Sequence, residues 1–413
     1  MHELVGALRS YAWGSRTALA QLCGRPVPSA HPEAELWFGA HPADPAHVRL
    51  EHNTRSLLEL VADDPERELG AAAPEFGGRL PFLLKILAAE EPLSLQAHPS
   101  SAQALAGFER ENLARVPLDS PMRNYRDENH KPELVVALDR FEALAGFRDP
   151  LRTVELLRAL DVPGLRSYAD LLAAQPDSAG LRTLFTTWIT LPQSVLGTLL
   201  PQVLDGCVRY LSEKGLHQTD KRQREFTAEA RTTLELAEAY PGDAGVLAAL
   251  LLNRLTLEPG QGLFLAAGNL HAYLRGLCVE IMANSDNVLR GGLTPKHVDV
   301  PELLRVLDFE AIDLPVVLPE PAGDGSVRYR TPAPEFALRR FDLTAGSGQV
   351  PLTSAGPGIV LCTAGTVRLF HGGSELVLER GAAAWISAAD TEIRAQAVDG
   401  AAQVFCACVG GGN

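Results

Sequence analysis

The chain has 413 residues and a net charge of −14; 46% of its residues are hydrophobic and 21% are charged. The length exceeds one ordinary hydrophobic core and predicts two or three domains, and the composition is typical of a folded, water-soluble protein. The negative charge argues against nucleic-acid binding, which needs a basic surface, and no apolar run is long enough to span a bilayer.

The N-terminal residues and the cysteines predict the compartment. Residues 1–6 lack a basic patch followed by an apolar stretch, so no signal peptide is predicted and we expect a cytoplasmic protein without a membrane partner. The six cysteines are scattered without a CxxC pair, which favours buried free thiols over disulfides or cysteine-bound zinc. We expect a monomer or a weak homo-oligomer.

Residues 1–148 alternate turn clusters with short extended runs, which predicts β structure. The run 80–87 is mainly apolar, whereas the run 92–99 alternates strictly between apolar and polar residues. In a strand, this alternation places one set of side chains on each face. The polar face carries Ser94, Gln96 and His98.

Residues 149–253 are predicted to form an inserted helical domain. The segments 151–160, 181–191, 194–210 and 225–240 carry apolar residues at helical spacing, and Pro-Gly turn signals separate some of them. Few polar groups converge here, so we expect a cap or a packing partner. Shielding of an active site from bulk water is one hypothesis for this domain.

The pattern returns to strands after residues 258–262. The run 269–274 alternates and places Asn269, His271 and Tyr273 on one face. We therefore expect one β domain built from residues 1–148 and 254–312, and a second β-sandwich or barrel in residues 313–413. His371 is predicted in a turn of that second domain, without a carboxylate or histidine at ligand spacing, so a structural role is expected.

Gln96 and His98 are two residues apart on a predicted strand, so their side chains project into the same space, as two metal ligands on one barrel strand do. Such a pair is more often a surface or hydrogen-bonded pair. Ser94 makes a third polar group on this half-buried face. Each group needs a partner, because an unpaired buried polar group costs about 1–3 kcal/mol.

Lys131 and Glu133 open the apolar run 134–138 and share one direction. They offer a carboxylate ligand beside a cation, or a simple ion pair where the strand begins. His271 is a further candidate ligand, although a lone strand histidine is more often a structural residue.

The segment 280–296 is dense in polar residues and contains paired glycines beside Arg290. This composition predicts a loop whose backbone approaches a ligand closely while Arg290 and Lys296 supply positive charge. A plain surface turn is the alternative.

Together, these motifs resemble those of the type I phosphomannose isomerases. The resemblance spans residues 11 to about 301 and rests on YAWG at 11–14, AELWFGAHP at 34–42, LSLQAHP at 93–99, NHKPE at 129–133, HAYL at 271–274 and the segment 282–296. Ser100 and Arg126 depart from the residues that many members carry, and neither is a proposed ligand. The last hundred residues resemble the family in pattern only.

The resemblance implies a mainly β fold: a cupin-type jelly-roll catalytic domain, an inserted helical domain and a degenerate C-terminal jelly roll. It implies interconversion of mannose 6-phosphate and fructose 6-phosphate with one zinc ion per chain. The implied metal ligands are Gln96, His98, Glu133 and His271. The other implied site residues are the catalytic Arg290 and the substrate or phosphate contacts Lys85, Ser94, Lys131, Glu280 and Lys296.

The chemistry of these residues agrees with the implied reaction, because two imidazoles, an amide oxygen and a carboxylate suit zinc and leave positions open. Isomerisation moves a proton between C1 and C2 through an enediol, and the metal and Arg290 would stabilise the charge on the adjacent oxygens. Lys85, Lys131 and Lys296 would form a local basic cluster for the phosphate. The base stays open between Glu280, the first choice, and Lys131 or a metal-bound water.

Three other functions fit parts of the pattern. A cupin-class oxygenase more often uses three histidines, or two with one carboxylate, and redox-active iron; Gln96 and the lysines argue against it. A non-catalytic sugar-phosphate binding protein is disfavoured by the retained ligands and Arg290. An isomerase of another aldose phosphate stays open, because the choice of sugar comes from the resemblance.

Overall fold

The computed structural model describes residues 1–216, 225–313, 316–346, 348–352 and 356–410. These residues form a mainly β fold with a helical insertion, as predicted. None of the helices in these ranges has both the length and the apolar composition that crossing a bilayer requires.

The part before residue 150 is mostly β. Its strands are β1 (His2–Val5), β2 (Ala7–Arg9), β3 (Glu35–Gly39), β4 (His47–Arg49), β5 (Thr54–Ser56), β6 (Phe82–Ala89), β7 (Leu95–Ala97), β8 (Glu133–Ala137) and β9 (Phe141–Phe147). Its helices are α1 (Ala18–Leu22), α2 (Leu57–Asp63), α3 (Pro65–Leu69), α4 (Ala72–Glu75) and α5 (Ser101–Leu113). Ser100 and Gln103 form a capping box that starts α5 directly after β7.

The middle part is helical. The Asp149 side chain accepts a hydrogen bond from the Arg152 N–H and Pro150 occupies the first turn, which together start the first helix of this part. The helices are α6 (Pro150–Ala159), α7 (Arg166–Ala174), α8 (Ser178–Ile189), α9 (Gln193–Leu216), α10 (Thr227–Ala239) and α11 (Gly245–Ala249), with a 3-10 turn at Pro163–Leu165.

The remaining part returns to strands. It contains β10 (Leu252–Leu257), β11 (Gly262–Leu265), β12 (His271–Ala283), β13 (Leu289–Gly292), helix α12 (Val300–Val306), β14 (Glu320–Pro321), β15 (Ser326–Tyr329), β16 (Ala337–Thr344), β17 (Val350–Pro351), β18 (Gly358–Ala364), β19 (Val367–His371), β20 (Ser374–Leu378), β21 (Ala383–Ile386), β22 (Arg394–Ala397) and β23 (Ala401–Cys408).

Strand β12 organises the sheet that carries the candidate site. Its first half pairs with β7 and β9, and its second half pairs with β6 and β8. Gly276, at the change of partner, has a φ of +125°, and a Cβ there would lie 2.8 Å from the Arg140 carbonyl oxygen. Only glycine adopts this bend without strain. The bend lets one strand contribute His271 and Tyr273 from one half and Glu280 from the other.

The helical insertion packs against the apolar face of β7 and of the first half of β12. Leu95, Ala97, Ala272 and Leu274, the apolar residues of β7 and of the first half of β12, are buried in one hydrophobic cluster with helical residues such as Trp188. The polar residues that alternate with them face the opposite side. The insertion is thus a packing partner of the strands that carry the candidate ligands.

The N-terminal strands join the C-terminal sheet. Strand β1 pairs with β21 on one side and with β4 on the other, and the Trp385 Nε1–H donates to Glu68 Oε2 at 2.7 Å. No local pattern predicts this exchange between the two ends of the chain.

Two local expectations need correction. The segment 280–296, expected as a loop, instead contains the end of β12 (Glu280 to Ala283) and the whole of β13, separated by a turn. His371, expected in a turn, closes β19, and its Nε2 lies 3.4 Å from Asp390 Oδ1.

The six cysteines carry free thiols, as predicted. Three are buried and three are half-buried, so the expectation of burial holds for only half of them.

Candidate metal centre

Two of the candidate ligands and Arg290 lie in a row across three strands. Gln96 of β7 is directly opposite His271 of β12 on one side and Arg290 of β13 on the other. Directly opposed residues of antiparallel strands place their side chains on the same face of a sheet. The strand register therefore brings the amide, the imidazole and the guanidinium to one surface, although Gln96 is far from the other two in sequence.

His98, Glu133 and His271 form a buried cluster whose potential ligand atoms all lie within 4.8 Å of one another. His98 Nε2 is 3.2 Å from Glu133 Oε1, and His271 Nε2 is 3.4 Å from Glu133 Oε2. Gln96 contributes an amide oxygen to the same face as His271.

The tautomers of both histidines follow from their second nitrogens. His98 Nδ1 lies 2.8 Å from the Asn287 carbonyl oxygen, and His271 Nδ1 lies 3.0 Å from the Asn269 carbonyl oxygen. A carbonyl oxygen only accepts, so each Nδ1 carries a hydrogen, and in the neutral imidazole the Nε2 then presents a lone pair.

Both Nε2 atoms are buried and have no hydrogen-bond partner among the residues that the structure describes. Their lone pairs face the Glu133 carboxylate oxygens. Each Nε2 and its nearest carboxylate oxygen are therefore both hydrogen-bond acceptors, at 3.2 and 3.4 Å. Such an arrangement costs free energy unless a cation lies between them. The geometry of these side chains therefore fits a metal ion.

The protonation states also suit a metal site. Burial has the largest effect on the pKa of His98 and lowers it to about 4, against the opposing effect of Glu133. Burial alone would raise the pKa of Glu133, but His98 and Lys131 hold it well below its usual value. At neutral pH the pair is therefore a neutral imidazole and a carboxylate, the forms that bind metals.

A second carboxylate lies next to the cluster. The Tyr273 hydroxyl donates to Glu280 Oε1 at 2.8 Å and is 3.3 Å from Glu133 Oε2, so it bridges the two carboxylates. Lys85 Nζ donates to Glu280 Oε2 at 3.0 Å. Burial raises the pKa of Glu280, and Glu133 adds to this rise, although Lys85 opposes it.

Lys85 is held by negative groups on two sides. Its Nζ is also 3.7 Å from Glu35 Oε1, and it lies 5.2 Å from the centre of the Trp37 ring. Burial opposes its charge, but Glu280 and Glu35 more than offset this and raise its pKa. Lys131 Nζ is similarly 3.2 Å from Glu133 Oε1. Both lysines are therefore occupied by carboxylates.

Lys296 belongs to a different basic group. Burial and the charges of Arg290 and Arg126 lower its pKa, and burial and Arg126 lower that of Arg290. Arg126 and Lys296 are exposed and Arg290 is half-buried. Lys85 and Lys131 thus contact carboxylates, whereas the charges that act on Lys296 are those of Arg290 and Arg126.

Several residues at the site were not among the predicted site residues. Tyr273 could have been found, because it alternates with His271 on the same predicted face. Glu35 and Trp37 lie in the motif at 34–42, but nothing local shows that they contact Lys85. Ser94, a predicted contact, is half-buried just before β7.

A cavity of about 600 Å³ adjoins the loop that carries Arg126. It is also lined by His41, Asp127 and Asp286, and none of the four candidate ligands reaches it. The cavity is therefore lined by the Arg126 loop and not by the candidate ligands.

Residues 1–150 match the family model described as phosphomannose isomerase type I, catalytic domain. The chain is 37% identical over 411 residues to mannose-6-phosphate isomerase of Escherichia coli strain K12, covering 98% of this chain and 99% of that protein. It is 31% identical to mannose-6-phosphate isomerase of Rattus norvegicus, covering 97% and 96%. A zinc-bound crystal structure of mannose 6-phosphate isomerase superposes with a TM-score of 0.86 at 34% identity, covering 99% of both chains.

Proposed function

The chain belongs to the type I phosphomannose isomerases, and we propose from this premise that it interconverts D-mannose 6-phosphate and D-fructose 6-phosphate at one zinc ion bound by Gln96, His98, Glu133 and His271. The observation that carries the proposal is the pair of imidazole lone pairs that face the Glu133 carboxylate. When bound, zinc supplies a Lewis acid for negative charge on substrate oxygens.

Glu280 is the proposed base. It takes the proton from C2 of the aldose, which leaves an enediolate, and returns it to C1. The proton of the C2 hydroxyl passes to the C1 oxygen, which gives the ketose, and the reverse order serves the reverse reaction. Its raised pKa suits a group that must both accept and release a proton near neutral pH. Tyr273 and Lys85 each hold one of its carboxylate oxygens and so fix its position.

Arg290 is proposed to stabilise the developing charge, because its guanidinium shares the face of Gln96 and the metal centre. Lys85 and Lys131 contribute through ion pairs with the carboxylates of Glu280 and Glu133, which fix the positions of these carboxylates and favour their charged forms. Their predicted contacts with substrate stay proposals, as does that of Ser94.

Lys296 is proposed to bind the phosphate together with Arg126. These exposed cations repel each other, and a phosphate dianion would relieve that repulsion. Replacement of Lys296 by alanine is expected to raise KM about tenfold to a hundredfold, as the loss of a charge-assisted contact would, with kcat within about threefold. Steady-state kinetics check this.

The matched control is Arg231→Ala, which removes an exposed cation from the helical insertion. Its KM should match the wild type. If Lys296→Ala leaves KM unchanged, the phosphate lies elsewhere.

A coupled assay for fructose 6-phosphate formation from mannose 6-phosphate tests the function itself. We expect activity to be lost on chelation and restored by zinc, because Glu133 and the two histidines need a cation between them. A chain that binds one zinc ion but shows no activity would contradict the proposed reaction, and other aldose phosphates would then be screened.

We propose a monomer or a weak homo-oligomer. We also propose the division into a catalytic β domain (1–148 and 254–312), a helical domain (149–253) and a C-terminal β domain (313–413). In this division, the helical domain packs against the apolar face of β7 and β12.

A further inference from the structure

Asn287 is a fully buried residue in the turn between β12 and β13, and each polar atom of its side chain is used. Its Oδ1 accepts from the backbone N–H of Arg126 at 2.7 Å and of Asp127 at 3.2 Å. Its Nδ2 donates to the carbonyl oxygens of Asp127 at 2.8 Å and of Asn129 at 2.9 Å, and lies 3.2 Å from Asp127 Oδ1.

The main chain of the same residue contacts the metal centre. The Asn287 carbonyl oxygen accepts from His98 Nδ1 at 2.8 Å. This contact fixes the His98 tautomer and the direction of its Nε2 lone pair. One residue therefore joins the loop 124–129, which carries Arg126, to a candidate metal ligand.

Further hydrogen bonds connect the same segments. The Ser285 hydroxyl donates to Asp127 Oδ1 at 2.8 Å, and the Asp286 N–H donates to Asp127 Oδ2 at 2.8 Å. The Asn287 amide lies at the centre of this network and supplies both donors and acceptors to it.

We propose that Asn287 is a positioning residue: its side-chain amide holds the Arg126 loop and the turn before β13 together, and its carbonyl oxygen thereby keeps His98 in the orientation that binds metal. The inference rests on the proposed zinc site. It assigns zinc affinity partly to a residue that is not a ligand.

Asn287→Asp is the sharpest test, because it preserves the shape and one acceptor oxygen but replaces the Nδ2 donor with a charged oxygen. That oxygen would face the Asp127 carbonyl, the Asn129 carbonyl and the Asp127 carboxylate, all of which are acceptors. The two segments should separate and His98 should lose its fixed orientation.

Zinc affinity of the holoenzyme, measured by chelator competition, should fall about tenfold in Asn287→Asp, within the range for outer partners of metal ligands. Hydrogen exchange should also show loss of protection at the Arg126 and Asp127 amides. Neither measurement depends on turnover.

Asn284→Asp is the matched control, since it makes the same change in the same turn and removes the Nδ2 bond to the Leu80 carbonyl oxygen (2.6 Å), away from His98. It should lose stability but keep wild-type zinc affinity. If Asn287→Asp does not fold, Ser285→Ala serves instead. It removes the hydroxyl contacts with Asp127 Oδ1 and the Asn129 carbonyl oxygen and the bond from the Asn287 N–H, leaves the Asn287 amide in place, and should weaken zinc binding in the same direction.

A wild-type chain that binds no zinc would contradict the proposed function. A wild-type chain that binds zinc while Asn287→Asp, or Ser285→Ala in its place, binds it equally well would overturn this inference alone. Equal loss in Asn284→Asp would also overturn it, because the effect would then reflect general destabilisation.

Discussion

Replacement of Glu280 by glutamine is expected to lower kcat by about 10²- to 10⁴-fold, the usual contribution of a positioned general base, while one zinc ion stays bound per chain. Glutamine preserves the size of the side chain and an oxygen that can accept the hydrogen bond from Tyr273 or Lys85. It cannot carry a proton between C2 and C1. Turnover in the coupled assay and zinc content per chain are the two measurements.

The pH profile adds a second readout for the same residue. Because burial raises the pKa of Glu280, the base becomes protonated, and the wild-type rate falls, at a higher pH than for an ordinary glutamate. This acid limb should be absent from the residual activity of Glu280→Gln.

Glu375→Gln, a change at an exposed carboxylate of the C-terminal sheet, is the control and should be kinetically silent. Full zinc content with kcat within threefold of wild type would remove Glu280 from the role of base and leave Lys131 and a metal-bound water as the candidates.

The candidate ligands could be predicted largely because strand alternation is a local property. The run 92–99 places Gln96 and His98 opposite Leu95 and Ala97 whatever the strand pairs with, and the structure has this division of faces. The same holds for His271 at the start of β12.

Partners across the sheet could not be predicted, since they depend on register. Lys85 and Glu280 are 195 residues apart, and they meet only because β6 and β12 pair with these two residues opposite each other. The sequence alone shows no carboxylate partner for Lys85 and therefore predicts a contact with phosphate. Its predicted contact with the substrate phosphate stays a prediction, and the carboxylates of Glu280 and Glu35 beside it could not be foreseen.

The sequence predicts a loop for the segment 280–296, but parts of it form strands, because the requirements of the site override local propensity there. Glu280 and Arg290 are polar residues in strands because they face the site, and polarity combined with glycines is typical of loops elsewhere. The bend at Gly276, which lets β12 change partners, is likewise a tertiary requirement with no periodic signal.

Replacement of Glu133 by glutamine is expected to weaken zinc binding by at least about a hundredfold, because it removes the one negative charge among the four proposed ligands. The amide could also donate a hydrogen bond to His98 Nε2 or His271 Nε2, which lie 3.2 and 3.4 Å from the present carboxylate oxygens. That bond would satisfy a nitrogen lone pair that the wild type leaves for the cation, so the substitution both removes a ligand and competes with the metal.

The thermal shift on zinc addition separates these effects from simple loss of stability. A ligand that binds only the folded state raises Tm, so zinc should raise the Tm of the metal-free wild type and of Glu375→Gln, and leave that of Glu133→Gln unchanged. The Tm of metal-free Glu133→Gln depends on two opposing changes. The new amide–imidazole hydrogen bond raises it, and the loss of the ion pair with Lys131 lowers it. Zinc binding by Glu133→Gln within threefold of wild type would show that the carboxylate is not a ligand. The short contacts between Glu133 and the two histidines would then need another explanation, and a protonated histidine is the first alternative.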